Sequence, residues 1–429
     1  MENKQKILII GGGAREHAIG WKIKQSPMCG DLYFAPGNGG TTEIGINVDI
    51  KATDINALLE FVKREKVDLT LAIPDDPLAL GIVDEFQREG LKIFGPTKKA
   101  AQLESSKAFA KDFMTRHNLP TAKFRVCTDF NEAVAYISMQ KLPIVIKASG
   151  LALGKGVIIA QTQEEAEKAL EDIMVKKIFG ESGNEVVIEE FLTGLEISTH
   201  AFSDGKSYSV FPVSQDHKRI AEGDTGSNTG GMGTIAPLPF ITDQFLKNIE
   251  ETIIAPTLSG MNEDGNTYAG VIYPGLILTN DGLKILEYNA RFGDPETETY
   301  MRLLETDLLE IMNACVEQKL NEIKIKWNSG FACTIMLASA GYPGPYQKGK
   351  IILGIKEAEQ NKNVIVFHAG TKTEDNNLVT NSGRVLGVSA IGKNLREALE
   401  TAYEAVSKIS FEGMQFRKDI GQKALSLKN

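Results

Sequence analysis

The chain has 429 residues, 42% hydrophobic and 24% charged, proportions of an ordinary globular protein of roughly two to four domains. Its net charge of −9 excludes a broad nucleic-acid surface, so an anionic ligand must be met by local lysines and arginines. Cys29, Cys127, Cys315 and Cys333 form no C-x-x-C pair, and no apolar run reaches the length of a signal peptide or membrane span, so reduced thiols, a cytoplasmic location and no membrane partner are expected.

KILIIGGGAREH reads as a buried strand, a glycine turn and a helix. Glycines at a helix N-terminus make an anion site, but the third position of the dinucleotide fingerprint falls on Glu16, which weakens a nicotinamide reading. Strands DLYFAPGN, VDLTLAIPDD and LKIFGPT follow, alternating with helices such as INALLEFVKREK, which predicts a parallel, Rossmann-like α/β domain over residues 1–102. Ligands bind at the carboxyl ends of such strands, where Gly12, Gly13, Arg15, Gly37, Asn38 and the turn containing Asp75 fall.

SSKAFAKDFMTRHNLP reads as a capped helix with Lys107 in its first turn. KLPIVIKASGLALGKGVIIA reads as two strands joined by a glycine loop from Gly150 through Gly154 and Lys155 to Gly156. It is not a Walker A loop, because a strand follows it, but such a hairpin can close over phosphates with Lys147 and Lys155 carrying the charge. EVVIEEFLTGLEIS reads as two strands across a turn. Backbone groups of Glu190 and Leu192 can read an adenine edge, and Glu196 can accept ribose hydroxyls, with Glu189 nearby. SQDHKRIAEGDTGSNTGGMG reads as a long mobile substrate loop presenting Asp216, His217 and Lys218.

The most informative run is EYNARFGDPETE. Strand alternation puts Glu287, Asn289 and Arg291 on one face. Glu287 and Asn289 are hard oxygen ligands suited to Mg²⁺, and Arg291 is a fork for a carboxylate or phosphate. Gly293 and Pro295 then turn Asp294 and Glu296 back toward the same place. TYMRLLETDLLEIMNACVEQ reads as one amphipathic helix, and from residue 328 strands and a last helix predict a small α+β domain. His368 and Arg384 read as structural polar residues, and RKDIG as a segment able to reach the site.

Taken together, GGGAREH, APGN, GLALGKGV, QDHKR, NTGGMG, EYNARFGDPET and RKDIG resemble the ATP-grasp superfamily, and within it the phosphoribosylamine–glycine ligase (glycinamide ribonucleotide synthetase) family, over essentially the whole chain. That resemblance implies an ATP-grasp core over 103–327 with a lid near 123–190, a C-terminal domain over 328–429, and ATP between two sheets. By similarity Lys107 and Lys147 contact phosphates, Glu189, Leu192 and Glu196 hold adenosine, and Glu287 and Asn289 hold Mg²⁺ or Mn²⁺. It implies ATP, glycine and 5-phosphoribosylamine as substrates, with Arg291, Asp294, Lys155 and Asp216 in catalytic roles, and a monomer is expected. The chain departs from the family pattern at Ile73-Pro74-Asp75, often G-P-E, and at Ser149, where K-A-D-G is usual. The rival readings are another ATP-grasp enzyme acting on bicarbonate or formate, a non-catalytic nucleotide-binding regulator and an NAD-dependent oxidoreductase.

Overall fold

The computed structural model describes residues 4–152 and 156–427. Its N-terminal unit is a parallel sheet of β1 (Gln5–Gly11), β2 (Cys29–Pro36), β3 (Ile46–Asn47), β4 (Leu69–Ala72) and β5 (Ile93–Phe94), in the order β3-β2-β1-β4-β5. Ile7 to Ile10 are fully buried, as a continuous apolar run requires when helices cover both faces. The strand order reverses at β1, which opens a crevice at the carboxyl ends of β1 and β4. There Pro74 to Pro77 do not form a free turn: Asp75 begins the helix Asp75–Leu80, where acidic residues favour the N-terminal dipole.

The middle of the chain builds two antiparallel sheets. β6 (Phe124–Cys127), β7 (Ile144–Ala148), β8 (Val157–Ala160) and β9 (Val186–Glu190) form the lid in the order β6-β9-β7-β8, with its own core around Ile144, Ile146, Ile188 and Leu170. β10 (Leu195–Ser198), β11 (Ala201–Asp204) and β12 (Tyr208–Val210) join a second sheet. Glu190 and Leu195 therefore flank a crossover between sheets and not a hairpin. The expected mobile loop is ordered as β13 (Gln215–Asp216), the hairpin β14 (Arg219–Ala221) and β15 (Thr225–Asn228), and β16 (Gly233–Ala236). β17 (Ala269–Thr279) and β18 (Gly282–Asn289) complete the second sheet. Val145, Lys147, Val157 and Ile159 of the lid line one cavity with Ile277, Leu286 and Glu287 of this sheet.

The expected single helix after Glu296 is two, Glu296–Leu303 and Leu308–Glu317. The second is capped by Asp307, whose carboxylate accepts from Leu309 N at 2.9 Å. β19 (Phe331–Ser339), β20 (Val364–His368), the hairpin β21 (Thr371–Glu374) and β22 (Asn377–Thr380), β23 (Arg384–Gly392) and β24 (Met414–Gln415) follow. The C-terminal sheet runs β13-β16-β19-β23-β20, with β24 on β19, so two of its strands come from the middle of the chain. Among the described residues no helix is long and apolar enough to cross a membrane.

Candidate active site

The end of β18 organises the site. Asn289 Oδ1 accepts from Arg291 Nη2 at 3.1 Å, and the same guanidinium meets Glu104 Oε1 at 2.8 Å. Glu104, in the short helix Gln102–Ser105, also accepts from Ala290 N at 2.8 Å, so it fixes both the side chain and the backbone beside Arg291. Nothing in the local pattern around Glu104 signals this role, because Glu104 and Arg291 meet only through the fold.

Lysines converge on Glu287 from the other side. Burial works against its charge, but Lys218, Lys147, Lys107 and Arg291 outweigh it and hold the carboxyl down at about 2. Lys218 Nζ lies 3.6 Å from Glu287 and 3.9 Å from Glu196. Lys147 Nζ pairs with Glu189 Oε1 at 2.9 Å and donates to Leu286 O at 3.1 Å. Lys111, an ordinary helix lysine by its local pattern, meets the same Glu189 oxygen at 3.2 Å and donates to Thr121 Oγ1 at 2.6 Å. Burial depresses the Lys111 ammonium to about 8. Lys107 donates to Gly150 O at 3.2 Å, and its helix is tied to the lid by Ser149, whose Oγ accepts from Ala108 N at 3.1 Å.

Asp216, Glu296, Asp294 and Arg384 form the opposite wall. Tyr273 OH donates to Glu296 Oε1 at 2.5 Å, with Ser198 Oγ within 2.8 Å of the phenol. Burial first, and Glu296 second, raise the Asp216 carboxyl well above the ordinary range. Gly231, at φ +113°, passes so close that a Cβ would lie 2.6 Å from Asp216 Oδ1 and 2.5 Å from Pro295 Cδ, which only glycine permits. Arg384 Nη1 reaches Asp294 Oδ1 at 3.0 Å.

Several expected ligand contacts are committed elsewhere. His217 Nδ1 donates to Gly233 O at 3.0 Å and Nε2 accepts from Gly421 N at 3.1 Å, so both ring nitrogens hold the chain together. Asn38 donates to Gly12 O and His368 O and accepts from Gly40 N and Thr41 N, which uses up its amide. Glu16 caps its helix by accepting from Gly13 N at 2.6 Å and pairs with Arg15 at 2.7 Å, which explains a carboxylate where a dinucleotide site has glycine. Gly12 packs against Gly37 O, where a Cβ would lie 2.4 Å away. Gly12, Gly13, Gly37, Asn38, Gly150, Gly293 and Pro295 do not line the cavities described next, although a Cβ on Gly13 would lie 3.4 Å from Asp294 Oδ2. Gly154 and Lys155 lie outside the described residues.

The remaining candidates share a cavity of about 630 Å³, lined by Glu190, Leu192, Glu196, Lys147, Glu287, Asn289, Arg291, Asp216, Lys218, Asp294, Arg15 and Asp75, and Glu189 and His217 line it as well. A smaller one of about 130 Å³ adds Lys107, Lys111 and Gly156. Glu287 and Asn289 line both. Among the described residues no group of three or more His, Cys, Asp or Glu could hold an ion by itself. Two hard oxygen donors facing a lysine-walled cavity nonetheless fit a divalent cation that takes the rest of its shell from phosphates and water.

The chain matches the family model described as phosphoribosylglycinamide synthetase, N domain, over residues 5–104. It matches the ATP-grasp (A) domain model over 105–297 and the C domain model over 332–423. A phosphoribosylamine–glycine ligase from Chlorobaculum tepidum is 48% identical over 98% of this chain and 100% of its own length. The crystal structure of phosphoribosylamine–glycine ligase from Thermotoga maritima superposes with a TM-score of 0.84 at 36% identity, covering 96% of this chain and 99% of that one. A biotin carboxylase from Campylobacter jejuni shares the fold, with a TM-score of 0.75 at 14% identity over 98% and 95% of the two chains.

Proposed function

The chain belongs to the phosphoribosylglycinamide synthetase family, and from that premise we propose that it joins glycine to 5-phosphoribosylamine, cleaving ATP to ADP and phosphate through a glycyl phosphate, a step of de novo purine synthesis. The observation that carries the reading is the single cavity shared by the adenosine-type residues Glu190, Leu192 and Glu196, the oxygen pair Glu287 and Asn289, and the polar wall of Asp216, Arg291 and Asp294. In this reading backbone groups of Glu190 and Leu192 take the adenine edge and Glu196 the ribose. Lys107 and Lys147 neutralise the phosphates, and Glu287 and Asn289 would hold Mg²⁺ or Mn²⁺. When bound, the ion spreads the charge of the transferring phosphoryl group.

A carboxylate is a poor acylating agent, and phosphorylation turns it into a good one. The glycine carboxylate attacks the γ-phosphorus and ADP leaves. The amine of phosphoribosylamine then attacks the acyl carbon, a C–N bond forms, the C–O bond to phosphate breaks, and the amine loses a proton. Asp216, on the cavity wall, is the carboxylate we assign to accept it. Arg291 and Asp294 orient the two substrates, with Arg15 and Asp75 on the N-terminal side. These steps need alignment and charge neutralisation more than a protein nucleophile. The lid sheet keeps water from the acyl phosphate.

ADP release measured with each substrate omitted in turn tests the reading. Release is expected only with ATP, glycine and phosphoribosylamine together; release with bicarbonate or formate in place of glycine would overturn it. Arg291→Ala is expected to lower kcat/KM about 100-fold, the loss of a charge-assisted fork. Unchanged Michaelis constants and turnover would remove Arg291 from the site.

A further inference from the structure

Arg384 reaches the cavity from the first residue of β23, far along the chain from every residue placed in the site above. Its Nη1 is crowded: it donates to Gly230 O at 2.8 Å and to Asp294 O at 2.8 Å, and lies 3.0 Å from Asp294 Oδ1. The guanidinium lies against Gly230, where a Cβ would come within 2.9 Å of Cζ and 3.0 Å of Nη2. Its other edge is free: Nε and Nη2 make no hydrogen bond among the described residues, and the side chain is 19% exposed. A guanidinium half-spent on the protein and half-open to a cavity has the geometry of an oxyanion receptor.

The anion it meets follows from position. None of its partners is shared with Lys107, Lys147, Glu189 or Glu196, so it stands apart from the groups suited to a nucleoside triphosphate. Its carboxylate partner is Asp294, on the wall proposed above to orient glycine and the ribosylamine, and of those two only the ribosylamine carries a phosphate. Arg15 lines the same cavity from the N-terminal unit. We infer that Arg384 binds the phosphate monoester of the ribosylamine through Nε and Nη2 while Nη1 pins Gly230 and Asp294, so that the C-terminal unit supplies the selection for a phosphorylated amine. This assignment rests on the ligase reading above.

The test compares two amines formed in situ from ammonia, one from ribose 5-phosphate and one from ribose, with glycine-dependent ADP release as readout. Wild type is expected to favour the phosphorylated amine by about 100-fold in kcat/KM, the size of a charge-assisted pair. Arg384→Gln should bring the two amines within a few-fold by raising KM for the phosphorylated one alone, with KM for ATP and glycine unmoved, and Arg384→Lys should restore part of the preference. Equal losses on both amines would mean that Arg384 only holds the loop, and the inference falls; so does no loss on either. Binding of ribose 5-phosphate and of ribose to wild type and Arg384→Gln, by calorimetry, gives a second measurement. A tenfold or greater weakening confined to ribose 5-phosphate supports the subsite, and equal affinities overturn it. If wild type turns over neither amine, the ligase reading fails, and the binding measurement decides the phosphate subsite by itself.

Discussion

Glu189 places one carboxylate between two buried ammoniums, Lys147 at 2.9 Å and Lys111 at 3.2 Å, with both Glu189 and Lys111 only 2% exposed. Removing one member of a buried ion group strands the others, at a cost of about 3 kcal/mol or more. Glu189→Gln is therefore expected to lower stability by about 3 kcal/mol in urea unfolding and to raise KM for ATP, because Lys147 loses the partner that aims it. Lys111→Met keeps the Lys147–Glu189 pair and should cost less; equal losses in the two variants would count against the shared-carboxylate account. This is also where the sequence stopped being informative. The two-residue period of a strand sufficed to place Glu287 and Asn289 on one wall. Glu104 and Lys111 gave no signal, since each read as an ordinary polar helix residue whose partner lies on a distant strand. His217 and Asn38 carry a role that their glycine-rich runs did not announce: both side chains bond to backbone groups within the fold, and His217 does so while lining the cavity.

At the scale of elements, the helix Ala14–Ile23 shows how local chemistry sets the crevice. Its N-terminus faces the switch point of the parallel sheet, yet Glu16 occupies the Gly13 amide at 2.6 Å and holds Arg15 beside it. Arg15 Nη1 then donates to Phe292 O at 3.0 Å, joining this helix to the turn that carries Asp294. Glu16→Ala removes a cap and a buried ion-pair partner, so a loss of about 2 kcal/mol is expected in denaturant unfolding. The amine-substrate KM should rise more than the ATP KM, because Arg15 is loosened and the lysine row is not. A variant that loses stability but raises both constants equally would break the link between this cap and the substrate wall. Element types were legible from periodicity. The ordering of Arg219–Asn228 into a hairpin was not, because its anchors are Arg417, Asp419 and Lys423, close to two hundred residues on; Arg417 Nη1 meets Asp224 at 2.7 Å and Arg219 O at 3.1 Å.

The whole molecule is sewn together by neutral histidines at the seams of its C-terminal unit. His17 Nδ1 accepts from His368 N at 2.9 Å, and His217 Nε2 accepts from Gly421 N at 3.1 Å. Both bonds need an unprotonated ring nitrogen. Burial, with His368 adding to it, lowers His17 to about 3; burial lowers His217 and His368 to about 4. The ordinary histidine value is about 6.5, so below that pH the unfolded chain takes up protons that the folded chain refuses. Stability is fully present above pH 6.5 and is lost as the pH falls toward 4, by on the order of 2 kcal/mol per histidine between pH 7 and pH 5. Because the two bonds join the C-terminal unit to the N-terminal unit and to the substrate loop, acid should loosen that unit first. Hydrogen exchange at the amides of His368 and Gly421 is expected to accelerate between pH 6.5 and 5, ahead of exchange in β1. His217→Gln, whose amide can both donate and accept, should make the acid limb of the Tm–pH curve shallower. An unchanged limb, or uniform acceleration of exchange across β1 and β23, would rule out a histidine-held seam and leave carboxylate titration as the cause of acid unfolding.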